Sequence, residues 1–224
     1  MNSFEMPEGI YHIPLSLPWS TPGIVNVYLI EENDGYIMID CGVDGSEYLA
    51  LLKSHLVEIG IGLSDIKLLI GTHMHIDHIG LSGTLRKFDI PFALYKNSVD
   101  YLNEYNNWSI RFADLVIMAK KESAPLTFIE DLKSITTPVY AGKLTKPDIL
   151  LSEGKIKSIK RNLNVIFTPG HDNSEISIHD EHSKIIFSGD HILPKITPFI
   201  PVQNEKSNLL KDFINSLDKV HAID

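Results

Sequence analysis

Cysteine is all but absent: Cys41 stands alone among 224 residues. That excludes an intrachain disulfide framework and fits a reducing compartment. Cys41 follows the apolar stretch "YIMID" and reads as a small buried side chain rather than a reactive thiol. No apolar run reaches the roughly 18 residues of a spanning helix, so no membrane segment is expected. The opening stretch "MNSFEMPEGIYHIPLSLPW" is broken by prolines and has no basic segment ahead of an apolar block. No signal peptide is legible there, and a cytoplasmic location is expected. Positive charge is also scarce, with 20 Lys and Arg against 29 Asp and Glu for a net charge of -9. A nucleic-acid partner is disfavoured, because phosphate binding needs concentrated basic surface. The local cluster of Lys155, Lys157, Lys160 and Arg161 reads as a solvated hairpin edge.

What is present is enough apolar material for a core, at 43% of residues, with no repeat, low-complexity block or linker. One domain over residues 1–224 is expected. "IVNVYLIEENDGYIMIDCG" holds two Val/Ile/Tyr-rich runs around Asn33-Asp34-Gly35, a hairpin signal. Ser46 to Ile59 places Leu49, Leu52, Leu56 and Ile59 on one helical stripe, with Gly60 as the stop. "IKLLI" (66–70) is apolar without a break, as expected of a strand covered on both faces. "IPFALY" (90–95) reads as another strand, and residues 97–134 as two or three inserted helices. Residues 137–145 look irregular, residues 164–190 carry two or three strands, and a helical stripe runs from Leu209 to Val220. Strands alternating with helices argue for an α/β fold with helices covering sheets.

The stretch "GTHMHIDHIG" (71–80) crowds His73, His75, Asp77 and His78 directly after the strand "IKLLI". Such groups are costly to bury unpaired, and a metal is the first compensation to consider. In an extended segment residues two apart point the same way, so His73 and His75 can converge on one ion. Asp77 and His78, further round the turn, can address a second position. A helical zinc motif would space its histidines by four, so this spacing calls for a loop at a strand end. Two distant stretches repeat that form: "TPGH" places His171 after "NVIF", and "FSGD" places Asp190 after "KIIF". Three such loops can meet at one sheet edge, where ligand sites of α/β proteins tend to lie.

This constellation resembles the metallo-β-lactamase superfamily. The resemblance rests on "HMHIDH" with Thr72 before it and Ile79-Gly80 after, on "NVYLI…YIMIDCG", on "TPGH" and on "SGDHILP". It implies a four-layer αββα sandwich with two divalent metal ions at the sheet edges, zinc foremost and iron or manganese as alternatives. By that pattern His73, His75 and His171 would hold the first ion, Asp77 and His78 the second, and Asp190 would bridge them. Asp40, ending the second hairpin strand, matches a position beneath the site that orients ligands. The implied chemistry is a metal-bound hydroxide attacking a small ester, thioester or lactone, with Asp77 orienting the nucleophile or moving its proton.

The chain departs from the pattern in three places. Members carry a further histidine ligand after one more strand, and no histidine follows His221 here. Either the second ion is held by fewer protein ligands or, the favoured expectation, the chain is without the last strand and helix, leaving an edge strand and apolar surface that association with a second copy would cover. His191 is the candidate substitute ligand, whereas His221 is expected to pack near the helix end, His179 and His182 to sit exposed in a turn, and His12 and His55 to have no metal context. "HDNSEISI" replaces the common continuation after the third histidine, so contacts to substrate do not transfer. The helices of 97–134 are a candidate lid bearing Tyr101, Tyr105 and Trp108, against ordinary helix packing. Two other functions stay open: a mononuclear iron oxidoreductase of dioxygenase type, and a metal-binding protein with little catalysis.

Overall fold

The computed structural model describes residues 6–102, 107–135, 144, 146–201 and 208–223. Six strands form the first sheet in chain order: β1 (Ile10–Ser16), β2 (Ile24–Glu32), β3 (Gly35–Ile39), β4 (Ile66–Ile70), β5 (Phe92–Tyr95) and β6 (Ile149–Leu151). The β1–β2 and β2–β3 pairs are antiparallel, and the hairpin turns where Asn33-Asp34-Gly35 predicts it. From β3 onward the strands run parallel, with Ile37 opposite Leu68 and Ile39 opposite Ile70. A parallel arrangement needs crossovers, and these carry the chain away and return it in the same direction. Consequently β3, β4 and β5 all finish at one edge.

The first sheet is apolar on both faces, as "IKLLI" suggests. Met38, Leu69, Phe92 and Leu94 face one core with Leu52 and Leu56 of helix α1 (Ser46–Glu58). Of the expected α1 stripe, Leu52 and Leu56 are buried, Leu49 is half-buried and Ile59 sits largely outside. Ile37, Ile39, Leu68, Ile70 and Ala93 face the other way, into a second core. Burying each such side chain contributes about 1.5–3 kcal/mol, and these two layers supply most of what holds the fold together.

The second core is closed by a four-stranded antiparallel sheet of β7 (Gly154–Lys155), β8 (Leu163–Phe167), β9 (Ile176–Asp180) and β10 (Ile185–Phe187), in the order β10-β9-β8-β7. Leu163, Val165, Ile176, Ile178 and Phe187 line its inner face. Tyr95 and Phe167 stack across the two sheets with ring centroids 4.4 Å apart. Lys155 lies in the β7–β8 hairpin as expected, but Arg161 is not a free solvated charge. It pairs at 2.6 Å with Asp180, which is fully buried. His179 likewise departs from expectation, lying within β9, while His182 is exposed in the following turn.

Two one-turn helices, α2 (Ile76–Ile79) and α3 (Ser82–Leu85), follow β4. The insertion contains α4 (Trp108–Lys121) and α5 (Leu126–Ile135) after a short 3-10 turn. Tyr101 packs against the first core, while Tyr105 and the Trp108 side chain lie outside the described residues. Apart from Leu144, so does most of the stretch 137–145. Helix α6 (Leu209–His221) is capped by Asn208, whose side chain accepts from the Lys211 amide, and lies against the end of β8. Its Ser216 hydroxyl donates to the Pro169 carbonyl at 2.9 Å, and Lys219 Nζ donates to the Phe167 carbonyl. The C-terminal stripe therefore splits. Leu209 and Ser216 are buried, Phe213 is half-buried, and Leu210, Ile214 and Leu217 remain in solvent, as does His221. No helix among the described residues is long and apolar enough to cross a membrane.

Candidate metal centre

The edge where β3 and β4 end is built by close approach of backbones. Gly71 and Gly80, the two ends of "GTHMHIDHIG", have no room for a side chain. A Cβ on Gly71 would lie 2.6 Å from Ile79 Cγ2 and 2.7 Å from Leu94 Cδ2. One on Gly80 would lie 2.6 Å from the Asp44 amide nitrogen and 2.7 Å from Val43 Cα. This packing draws α2 down onto the loop after β3, where the Cys41 amide donates to the His78 carbonyl at 2.7 Å. Cys41 itself is buried and free, as its sequence context suggests.

Asp40 takes a left-handed backbone conformation, φ +59, which Asp tolerates better than most residues. Its carboxylate thereby turns under the histidines. Oδ1 accepts from the Thr72 amide at 2.8 Å, and Oδ2 accepts from the Thr72 hydroxyl at 2.9 Å and from His78 Nδ1 at 2.7 Å. Because the Thr72 hydroxyl proton goes to Asp40, its oxygen is left to accept from His73 Nδ1 at 3.0 Å. On the other side His171 Nδ1 donates to the Phe199 carbonyl at 2.6 Å.

These partners decide which ring nitrogens carry protons. A neutral imidazole that donates from Nδ1 presents a bare lone pair at Nε2. His73 Nε2 and His171 Nε2 are both aimed at His75 Nδ1, at 2.9 and 2.8 Å. With the rings neutral, His75 Nδ1 can donate to only one of them, so a single cation serves all three better than hydrogen bonding does. Burial first, then the neighbouring histidines, hold His73 well below the ordinary histidine value. Burial and His171 bring His75 down to about 4, with Asp172 and Asp77 pulling the other way. Both rings are therefore in the neutral, ligating form at pH 7. The ligand atoms of His73, His75 and His171 all lie within 4.8 Å of one another.

A second group of His73, His78 and Asp190 meets the same limit. His78 Nε2 faces Asp190 Oδ1 at 3.3 Å, and Asp190 Oδ2 also comes within 3.5 Å of His171 Nε2. Asp190 thus stands between the two groups. Burial opposes the charge on His78, but Asp40, Asp77 and Asp190 outweigh it and raise its pKa well above the usual value. Burial also opposes the Asp190 carboxylate, and His78, His171 and His75 bring its pKa down to about 2. Asp77 is close, with Oδ2 3.9 Å from His78 Nε2, yet it belongs to neither tight group.

The donor set of imidazole nitrogens and carboxylate oxygens suits a divalent metal ion. His191 is fully buried but lies outside both groups. Its ring meets Phe213 edge-on at 5.0 Å. His12 pairs with Asn26 and His55 with Glu58, away from the cluster. Three contributors have weak or no sequence signals. Thr72 is visible only as the residue before the motif, and the Phe199 carbonyl is a backbone group. Glu175 occupies an alternation position that reads as outward-facing, since Ile176 and Ile178 face the inner core. It is fully buried, and burial, Asp190 and Asp172 push its pKa well above the usual carboxylate value.

A family model of the metallo-beta-lactamase superfamily matches residues 20–222, and the chain belongs to that superfamily. A metallo-beta-lactamase family protein of Thermus thermophilus, TTHA1429, superposes with a TM-score of 0.79 at 24% identity, covering 96% of this chain and 70% of that one. BJP-1, a subclass B3 metallo-beta-lactamase of Bradyrhizobium japonicum, superposes with a TM-score of 0.66 at 18% identity, covering 98% of this chain and 73% of that one. These likenesses show the fold, the α/β sandwich expected from the motifs. The Homo sapiens acyl-coenzyme A thioesterase MBLAC2 is 26% identical over 183 residues, covering 74% of this chain. The match spans 57% of the length of that relative.

Proposed function

We propose that the chain is a metal-dependent hydrolase of a small thioester, ester or lactone, with residues 1–224 acting as one domain. The observation that carries this reading is the pair of lone pairs at His73 Nε2 and His171 Nε2, both facing His75 Nδ1. Hydrogen-bond partners hold both of these rings in the orientation a cation requires. His73, His75 and His171 would hold one divalent ion, His78 and Asp77 a second, and Asp190 both, with zinc the first choice. When bound, such ions lower the pKa of water and polarise the oxygen under attack. Asp77, part-exposed beside His78, holds the nucleophile's proton and passes it toward the leaving group. The name of the human relative is the reason to test thioesters first among the three substrate classes. The inserted helices of 97–134 are a candidate cover for the substrate, and the apolar stripe on α6 a candidate contact for a second copy. The single buried cysteine suits a cytoplasmic enzyme.

The test is metal content of protein purified without chelator, followed by turnover on a panel of thioesters, esters and lactones. Two zinc ions per chain are expected, with turnover lost on chelation and restored by zinc. Protein replete with metal but inert on the whole panel would sink the hydrolase reading.

A further inference from the structure

Resting on that dinuclear reading, we infer that Glu175 is a positioning residue for Asp190, fixing the loop that carries the bridging carboxylate. The side chain is fully buried where three strand-end loops converge. Its Oε1 accepts from the Asp190 amide at 2.9 Å. The next residue, Ile176, donates its amide to the Thr72 carbonyl at 2.9 Å, and the Thr168 amide donates to the Glu175 carbonyl at 3.0 Å. Glu175 therefore ties the Asp190 loop to segments leading to both His73 and His171. Gly189 makes the approach feasible. Its φ of +55 turns the chain, and a Cβ there would meet Thr72 at 3.0 Å and Glu175 Oε1 at 3.3 Å.

A carboxyl group is an odd choice for a purely structural filler at this point. Its second oxygen, Oε2, is buried with no hydrogen-bond partner among the described residues, an arrangement that costs stability. An apolar side chain of the same shape would avoid that cost but leave the Asp190 amide without this acceptor. Outer partners of this kind hold metal ligands in place and are worth about tenfold to a hundredfold in metal affinity. The effect should fall mainly on the second ion, because the first keeps three imidazole ligands besides Asp190.

The experiment compares Glu175→Gln, which keeps an acceptor, with Glu175→Met, which keeps the shape without one. Metal-free full-length protein is titrated with cobalt(II), followed by its visible absorption, and folding is checked by circular dichroism. Wild type and Glu175→Gln are expected to bind two equivalents alike. Glu175→Met is expected to stay folded and bind the second equivalent about tenfold to a hundredfold more weakly, with the first affected less. Wild-type affinity for both ions in Glu175→Met would overturn the inference, as would equal weakening in the two variants. Fewer than two equivalents in the wild type would overturn the dinuclear reading and this inference with it.

Discussion

His78 Nδ1 donates to Asp40 Oδ2 at 2.7 Å, with both side chains nearly sealed from solvent. This bond fixes the His78 ring so that Nε2 turns toward Asp190, and it links the end of β3 to α2. The Asp40 carboxylate serves three donors at once: the Thr72 amide, the Thr72 hydroxyl and His78 Nδ1. Asp40→Asn keeps the size and tolerates the left-handed backbone, but its amide group must confront the Thr72 amide or the His78 N–H with another donor. The expected result is about tenfold weaker binding of the second ion, in line with other outer partners of metal ligands. Isothermal titration with zinc of the metal-free variant would measure it, and unchanged affinity would count against the role of Asp40.

Asp77 lies close to His78 without belonging to either tight group of ligand atoms. Its side chain is 19% exposed, so solvent and substrate can reach it. Asp77→Asn removes the base and keeps the shape. Turnover should fall by about a hundredfold to ten-thousandfold, the usual range for a general base. The melting temperature should stay close to that of the wild type. Undiminished kcat with a full complement of metal would remove Asp77 from the mechanism.

Away from the site, the pair of Arg161 and Asp180 gives a pH-dependent test of the second sheet. Burial alone would raise the Asp180 pKa, but hydrogen bonds from Arg161 and Ser183 and the Arg161 charge bring it below the ordinary 3.8. A depressed carboxylate stabilises the fold above its unfolded pKa, and the contribution disappears as pH falls through the folded value. Removing the cation leaves a buried, uncompensated carboxylate. Arg161→Ala should therefore cost about 3 kcal/mol near neutral pH. The gap to wild type should be largest near neutral pH and narrow toward acid, as Asp180 takes up a proton sooner in the variant. Urea unfolding across that range checks both size and sign, and a gap that widened in acid would contradict the assignment.

The residues that supply metal-competent atoms were legible because each has a chemically rare side chain directly after an apolar strand. Thus His73, His75, His171 and Asp190 are recognisable before any fold is known. What supports them was not legible, for physical reasons that differ by residue. The Phe199 carbonyl is backbone and leaves no compositional trace. Glu175 occupies an alternation position that normally faces water, and only the convergence of three loops buries it. Arg161 sits among lysines and looks like surface until β9 brings Asp180 beside it. Helix α6 shows the opposite failure. Its six apolar positions do share one face, but only the edge carrying Leu209, Phe213 and Val220 is covered, while Leu210, Ile214 and Leu217 stay in solvent.

The glycines at the ends of "GTHMHIDHIG" lead to the last prediction, because they explain why the motif needs more than its ligands. Gly80 has ordinary right-handed helical angles, so any residue could adopt its backbone conformation. The restriction is packing. A Cβ would press into the Asp44 amide and Val43 Cα, which are backbone atoms and cannot swing aside. Gly80→Ala must therefore push α2 away from the loop after β3, stretching the bond between the Cys41 amide and the His78 carbonyl. Overpacking of this kind costs about 1–3 kcal/mol. The displacement should also carry His78 off Asp40, so binding of the second ion should weaken while His73, His75 and His171 keep the first. Denaturant unfolding of the metal-free protein would give the stability change, and a cobalt titration the affinities. A variant that loses stability yet binds both ions as tightly as wild type would show that α2 does not set the position of His78.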